Sequence, residues 1–279
     1  MSDRTRRFRR LRLGLSTLLG GGAQGFFIPY RYAAEVRAVD YAPLLPRFRE
    51  REAALRQVIT YIFAHRAAFP SMAGPPPQPR FTQDWFPRLD AAALYALVRF
   101  HRPRLVVEIG SGHSTRFLAR AVADGDMATR IVCIDPAPRA DLAGLPIRWQ
   151  RSTLQMAPPD LLDEFGPGDI LFVDSSHVSQ PGSDVDVLIG HVLPRLPIGA
   201  LVHFHDVFLP DAYPEEWAWR GYNEQTALAA LIQGGGFEIV FASHFVATRR
   251  PGWLTDAGLD TLPLLPGAHE CSLWLRKRQ

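Results

Sequence analysis

Short apolar runs alternate with amphipathic stretches along the chain from about residue 105 onward. Runs that predict strands lie at 105–110, 131–135, around 147–149, 169–174, 199–205, 237–241 and 271–275. Stretches with helical periodicity separate many of them, for example 113–123, 183–193 and 222–233. Apolar strands that alternate with helices form mostly parallel sheets with both faces covered. The pattern therefore predicts an α/β fold with a doubly wound sheet.

The region before these elements has a different pattern. Residues 30–68 have helical periodicity, with one apolar face formed by Leu55, Val58, Ile59 and Ile62. Five prolines and Gly74 then lie between residues 70 and 79, where no helix can continue. We expect a boundary near residue 80, with a basic arm and helical cap over 1–80 and the α/β domain over 81–279. Asp90 is expected to cap the first helix of that domain.

The N-terminal arm is strongly basic. Six of the first twelve residues are arginines, whereas the remainder of the chain is slightly acidic. Such an arm is either a solvated terminus or a contact with an anionic surface, for which we expect a peripheral membrane contact rather than nucleic acid. Residues 11–28 are too rich in glycine for a signal peptide and lack its cleavage pattern. We expect this segment to be retained, and residues 25–30 to cover the substrate side of a ligand crevice.

The composition narrows the class of protein. Hydrophobic residues make up 47% of the chain, which provides for a large core. The two cysteines, Cys133 and Cys271, both lie in apolar runs and form no disulfide framework or Cys-x-x-Cys motif. This usage favours a cytoplasmic protein, and an oligomer is compatible with it.

A glycine-containing loop follows the first strand of the alternating series. Its sequence is Glu108-Ile109-Gly110-Ser111-Gly112-His113-Ser114-Thr115. Gly110 and Gly112 allow a tight turn and a close backbone approach to a ligand, toward which the next helix points its N-terminus. A dinucleotide fingerprint would have a third glycine where Thr115 stands. The alternative is a purely structural turn.

Asp135 ends the second strand. An acidic residue at this position can accept hydrogen bonds from ribose hydroxyls. It can also cap a helix that starts at Pro136, and the two roles are compatible.

These features, together with Asp174-Ser175-Ser176-His177, His205-Asp206 and Asn223-Glu224-Gln225, resemble the class I S-adenosylmethionine-dependent methyltransferases over about residues 80–279. The resemblance implies a Rossmann-like, seven-stranded sheet whose last strand is antiparallel. It also implies S-adenosylmethionine as cofactor. The residues expected at that cofactor are Glu108, Gly110, Ser111, Gly112, Asp135 and Asp174, with the glycines at the methionine part and Asp135 at the ribose.

A second group of polar residues follows the fourth and fifth strands. Asp174, His177, His205 and Asp206 should meet because the carboxyl ends of parallel strands share one edge of the sheet. Two carboxylates suit Mg²⁺, and this pattern is similar to that of metal-dependent O-methyltransferases. That similarity implies metal ligands at Asp174, His205 and Asp206 and a catalytic base at His177. The imidazole of His205 departs from those families and suits a transition metal better.

Plainer interpretations remain for these side chains. His203 and His205 lie on one face of a strand and are alternatively buried histidines with satisfied hydrogen bonds. The aromatic segment 208–219 is either a substrate lid or a packed loop.

The sequence thus predicts methyl transfer from S-adenosylmethionine to a small-molecule acceptor, an oxygen, with assistance from a divalent metal. The alternatives are a metal-independent O- or N-methyltransferase and a non-catalytic cofactor-binding partner protein. A nicotinamide-dependent oxidoreductase is disfavoured by the missing third glycine and by the paired carboxylates.

Overall fold

A computed structural model describes residues 3–22, 24–158 and 163–279 of the chain. It separates into two compact units, Met1–Ala38 and Val39–Gln279. The first unit contains helix α1 (Asp3–Leu18) and a short 3-10 turn at Ala33–Glu35. Among the described residues, no helix has both the length and the apolar character that a membrane crossing requires. The boundary near residue 80 stays a prediction.

The helical pattern of residues 30–68 is not one helix. In the second unit it forms α2 (Leu45–Glu50) and α3 (Glu52–His65), while residues 36–41 are not helical. The predicted apolar face of α3 is confirmed, since Leu55, Val58, Ile59 and Ile62 are all buried. These side chains pack α3 against the helix that follows and against the sheet.

Seven strands form one sheet. They are β1 (Leu105–Ile109), β2 (Arg130–Ile134), β3 (Arg148–Gln150), β4 (Ile170–Val173), β5 (Leu201–Phe204), β6 (Phe237–Ala242) and β7 (Leu273–Lys277). Their order is β3-β2-β1-β4-β5-β7-β6, and β7 is antiparallel to both of its neighbours. The predicted doubly wound sheet with an antiparallel last strand is confirmed.

Helices cover the sheet on both sides. They are α4 (Arg88–His101), α5 (His113–Asp124), α6 (Asp184–Val187), α7 (Glu224–Gln233), α8 (Ser243–Arg249) and α9 (Gly252–Asp256). α4 is buried from Leu89 to Val98 because it packs between α3 and α5. Ser183 caps α6 by accepting a hydrogen bond from the backbone N–H of Asp186.

The expected helix cap at Asp90 is wrong, and the alternative role of Asp135 as a helix cap is not found. Asp90 lies inside α4, whose N-cap is Pro87, and its buried carboxylate accepts hydrogen bonds from a distant part of the chain. No helix follows Asp135, because residues 136–147 form bends and turns. The carboxylate of Asp135 instead accepts a hydrogen bond from the backbone N–H of Ala137 at 2.7 Å.

The strand register aligns the functional residues. Ile109 pairs with Ile134 on one side and with Val173 on the other, and Val173 pairs with Phe204. The residues that follow these four strand ends therefore lie along one edge of the sheet. The strand order reverses between β1 and β4, and such a reversal opens a ligand crevice at the carboxyl ends of the strands.

Candidate active site

Residues 110–112, the glycine loop, connect β1 to α5. Gly110 has φ +78°, and a Cβ atom at this position would lie 1.8 Å from the carbonyl oxygen of Asp174. Only glycine fits here without moving the backbone of β4. Ser111 continues the loop and donates from its backbone N–H to Oδ2 of Asp135 at 2.7 Å. The loop is therefore fixed against the ends of both neighbouring strands.

Glu108 lies beneath this loop. Its side chain is fully buried and accepts hydrogen bonds from the hydroxyls of Ser114 and Thr115, both at 2.6 Å. Burial raises the pKa of Glu108 to about 7, against the lowering effect of the two hydroxyls. The carboxylate thus holds the first turn of α5, which sets the direction of the helix N-terminus.

Asp135 is bound on both of its carboxylate oxygens. Oδ2 accepts from the backbone and the hydroxyl of Ser111, and Oδ1 accepts from the backbone N–H of Ala137. The indole of Trp149 donates to its carbonyl oxygen at 2.8 Å. These bonds position Asp135 at the end of β2, beside the glycine loop.

Asp174, His177, His205 and Asp206, which we call the cluster, meet where β4 and β5 end. Nε2 of His177 lies 3.3 Å from Oδ1 of Asp174 and 3.5 Å from Oδ2 of Asp206. Nδ1 of His205 lies 3.7 Å from Oδ1 of Asp174 and 3.3 Å from Oδ1 of Asp206. Each imidazole therefore presents one ring nitrogen to both carboxylates. The structure brings together the four residues that the sequence places in this group.

Further carboxylates contact the other ring nitrogen of each histidine. Nδ1 of His177 lies 3.0 Å from Oε2 of Glu224, and Nε2 of His205 lies 3.3 Å from Oδ2 of Asp90. Glu224 and Asp90 are both fully buried. A buried carboxylate on one nitrogen fixes the orientation of the ring and of the nitrogen that faces the crevice.

The charges of the cluster shift one another's pKa values. Burial alone would lower the pKa of His177, but Asp174, Glu224 and Asp206 raise it well above its usual value. Burial would also lower the pKa of His205, but Cys271, Asp206 and Asp174 raise it well above its usual value. The two histidines in turn lower the pKa of Asp174, although burial acts in the opposite direction. The cluster therefore combines two imidazoles whose pKa values are raised with a carboxylate whose pKa is lowered.

His203 behaves differently from its neighbour. Its ring is fully buried and lies 3.8 Å from the ring of Phe172, and its Nε2 lies 2.8 Å from the hydroxyl of Ser272. Burial lowers the pKa of His203 well below its usual value. His203 is a buried core histidine, but its hydrogen bonds are satisfied only in part, because its Nδ1 has no hydrogen-bond partner among the described residues.

Arg220 adds a cation beside Asp206. Its Nη1 lies 3.5 Å from Oδ2 of Asp206, and its guanidinium lies 3.7 Å from the ring centre of Trp217. Trp217 packs in turn against Phe208, which is buried at the start of the aromatic segment. Much of the segment 208–219 is thus a packed wall, while Trp219 is 41% exposed.

The sequence did not predict that Asp90 and Arg220 contact the cluster, or that Cys271 lies near His205. Nothing near Asp90 in the sequence distinguishes it from a helix cap. Its partners, the backbone N–H groups of Cys271 and Ser272, lie 181 and 182 positions away. Glu224 had a sequence signal, because it opens the helix that follows the fifth strand.

One further side-chain group could hold a metal ion. Within the described ranges, the donor atoms of Asp90, His205 and Cys271 all lie within 4.8 Å of one another. The group is buried, and burial raises the pKa of the Cys271 thiol. A neutral thiol is a poor metal ligand. The cluster instead offers the carboxylate of Asp174, whose side chain is one-third exposed at the crevice.

Part of the chain is similar to a known protein family. Residues 107–207 match a family model described as a methyltransferase domain. The match begins in β1 and ends one residue after Asp206, so it includes both the glycine loop and the cluster. No curated protein sequence matches the chain.

Solved structures with a similar fold include three methyltransferases. SAH-bound PaMTH1 of Podospora anserina is 17% identical, with 91% of this chain and 100% of that chain covered and a TM-score of 0.42. An O-methyltransferase of Bacillus cereus in complex with SAH is 16% identical over 81% and 91%, with a TM-score of 0.41. A methyltransferase of Geobacter sulfurreducens is 20% identical over 69% and 79%, with a TM-score of 0.39.

At these identities and TM-scores, the three structures carry no argument about individual residues. Residues 107–207 thus match a methyltransferase domain, and they lie in a seven-stranded sheet of order β3-β2-β1-β4-β5-β7-β6.

Proposed function

We propose that this enzyme transfers a methyl group from S-adenosylmethionine to an oxygen of a small-molecule acceptor. The observation that carries the proposal is the position of Asp174. Its carbonyl oxygen faces Gly110 of the glycine loop, while its side chain contacts His177 and His205. Donor and acceptor sites that share one residue can hold the two reactants in line.

On the donor side, the glycine loop and Asp135 form the proposed cofactor site. When bound, S-adenosylmethionine supplies an electrophilic methyl group on its sulfonium. Gly110, Ser111 and Gly112 would lie along its methionine part, and Asp135 would accept from its ribose. We propose that Glu108 acts on the cofactor indirectly, because its side chain is fully buried and holds Ser114 and Thr115 at the start of α5.

On the acceptor side, His177 is the proposed general base. Glu224 holds Nδ1, so that Nε2 faces the cluster. A histidine with a raised pKa accepts a proton from an acceptor hydroxyl only when the pH exceeds that pKa. Activity is therefore expected to rise with pH at values above about 6.5, the usual pKa of histidine.

A divalent ion fits the donor set of the cluster. Asp174, Asp206 and Nδ1 of His205 would hold it, and Asp90 orients the imidazole of His205 from behind. When bound, such an ion supplies Lewis acidity that lowers the pKa of an acceptor hydroxyl. Its charge would also offset the carboxylates that raise the pKa of His177, which would make that histidine a base nearer neutral pH. The mixed nitrogen and oxygen donors suit a transition metal better than Mg²⁺.

A metal-independent methyltransferase is the second candidate. The observation that favours it is that Nε2 of His177 already lies between Asp174 and Asp206, where it compensates both carboxylates without an ion. In that case His177 acts alone, with Arg220 neutralising Asp206.

Calorimetry and a methylation assay test these proposals. S-adenosylhomocysteine should bind the wild-type chain, and Asp135→Ala should weaken binding by roughly 10- to 100-fold, the effect of losing charged hydrogen bonds. Asp141→Ala is the matched control, because Asp141 also accepts a backbone hydrogen bond but lies on the exposed turn after β2. Tight binding of NADH without binding of S-adenosylhomocysteine would reject the methyltransferase proposal.

Metal dependence distinguishes the metal-assisted methyltransferase from the metal-independent one. If an ion assists, exhaustive chelation and Asp206→Ala should both abolish methylation while leaving S-adenosylhomocysteine binding intact. Cys271→Ser is the comparison variant, since it changes a ligand of the alternative Asp90, His205 and Cys271 group but leaves all three proposed ligands of the cluster in place. Full activity after chelation would reject the metal and leave His177 as a lone base, in which case His177→Ala should still reduce turnover by about 10²- to 10⁴-fold.

A further inference from the structure

The apolar side chains of α1 are exposed on one face of the helix. Phe8, Leu11, Leu15 and Leu18 recur at intervals of three and four residues, which places them on a single face. Each of the four is between 47% and 69% exposed. An amphipathic helix of a soluble unit normally buries this face, so its exposure indicates a missing partner.

The first unit uses a different face of α1 for its own packing. The Ser16 hydroxyl donates to the carbonyl of Gly22 at 3.2 Å, and the backbone N–H of Gln24 donates to the Thr17 hydroxyl at 3.0 Å. Leu13 and Gly14 are half-buried. The contacts of the unit itself therefore leave the face with Phe8 and Leu15 uncovered.

The charge around this face is strongly positive. Residues 1–38 contain eight arginines and only two acidic residues, and Arg4, Arg9, Arg10 and Arg12 are exposed on α1. A second exposed group follows in the same unit, where Phe26, Phe27 and Tyr30 are 58–65% exposed. Arginines and aromatic rings together suit the boundary between anionic headgroups and acyl chains.

We propose that α1 binds to the surface of an anionic lipid bilayer. Its apolar face would lie among the outer acyl chains, and its arginines would contact phosphate headgroups. The helix is too short and too polar to cross a bilayer, so it would lie in the plane of the interface. The proposal is independent of the methyl transfer reaction.

Two other binding partners would fit this face of α1 less well, namely a second copy of the chain and nucleic acid. A second copy of the chain would cover the apolar face but would bring two sets of eight arginines together, which is unfavourable at short range. Nucleic acid would neutralise the arginines but leave Phe8 and the leucines in water. An anionic membrane satisfies both the charge and the apolar face.

Vesicle flotation of the full-length chain tests the proposal. The chain should bind vesicles that contain phosphatidylglycerol but not vesicles of phosphatidylcholine alone, and added salt should weaken binding. Leu11→Glu combined with Leu15→Glu should reduce the partition coefficient by more than about tenfold, because both side chains lose their apolar burial. Each of Arg9→Gln and Arg12→Gln should reduce it by roughly fivefold.

A matched control separates a specific face from general charge effects. Ile198→Glu combined with Leu264→Glu places the same two charges at exposed apolar positions of the second unit and should leave vesicle binding unchanged. Equal binding to neutral and anionic vesicles, or equal losses in both double variants, would overturn the proposal. The proposal would also be overturned if the chain did not bind vesicles but sedimented as an oligomer that dissociates in the Leu11→Glu, Leu15→Glu variant. Preferential binding of duplex DNA over anionic vesicles would overturn it as well.

Discussion

The two sides of the crevice satisfy their carboxylates in opposite ways. At the ends of β1 and β2, Glu108 and Asp135 accept hydrogen bonds only from neutral groups, namely hydroxyls, a thiol and backbone N–H. At the ends of β4 and β5, Asp174 and Asp206 face imidazoles and a guanidinium. The first arrangement fixes the backbone, whereas in the second the carboxylates lie against groups that can carry positive charge.

This difference separates two functions within one sheet edge. A cofactor cradle needs a constant shape, which backbone hydrogen bonds to a single carboxylate provide. A catalytic group must gain and lose a proton, which requires competing charges that are close to balance. Variants on the donor side should therefore change the shape of the glycine loop, and variants on the acceptor side should change the pH dependence of activity.

The largest effect is expected at Gly110, where the two sides touch. Gly110→Ala combines an L-residue at φ +78° with a Cβ atom 1.8 Å from the Asp174 carbonyl. We expect a loss of about 3 kcal/mol or more in the free energy of unfolding, because strained backbone and a backbone clash add. Urea denaturation measures it.

Gly112→Ala is the control for that variant. No atom lies within 4 Å of a Cβ at Gly112, so its stability should remain close to that of the wild type. A loss of S-adenosylhomocysteine binding in Gly112→Ala without a loss of stability would locate the cofactor at the loop. Equal destabilisation by both alanines would contradict the assigned contact between β1 and β4.

The second effect concerns the alkaline stability of the cluster. The pKa of His177 is raised in the folded state, so its contribution to stability is complete below about pH 6.5 and is lost as the pH rises through the raised pKa. His177→Gln should therefore cost about 3 kcal/mol in acid and progressively less at alkaline pH, as expected when one partner of a buried ionic group is removed.

His203→Gln provides the comparison for that prediction. The pKa of His203 is lowered, so this histidine is neutral throughout the alkaline range. The free energy of unfolding lost in His203→Gln should therefore not depend on pH in that range. Urea denaturation as a function of pH measures both variants. Parallel alkaline profiles for the wild type and His177→Gln would show that His177 is not charged in the folded protein.

The smallest effect is expected beneath the glycine loop. The pKa of Glu108 is raised to about 7, so its stabilising contribution is complete below about pH 4.5 and is lost as the pH rises to neutrality. Glu108→Gln should change neutral stability by only about 1 kcal/mol, because a hydroxyl can donate to an amide oxygen or accept from its N–H. It should also remove the decline in stability between these pH values, whereas Glu50→Gln on the surface should leave that decline intact.

The strands and the glycine loop were predictable because their signals are local. Apolar runs mark β1, β2, β4 and β5, and the residue after each strand end follows from register. Asp174, His177, His205 and Asp206 could therefore be grouped from the sequence alone. The roles of Asp90 and Arg220 could not be predicted, because their partners are set by packing. The turn after Asp135 was also missed, since its pattern suits a helix cap equally well.

The hydrogen bonds of Asp90 have a consequence for the order in which the enzyme is made. Asp90 accepts from the backbone N–H groups of Cys271 and Ser272, which lead into β7, and it also orients His205. Such contacts are far apart in sequence and form late in folding. A chain emerging from the ribosome can complete its glycine loop once β4 is available, but it cannot hold His205 in place until β7 has entered the sheet. A nascent chain would then acquire the ability to bind its methyl donor before it acquires the ability to use it.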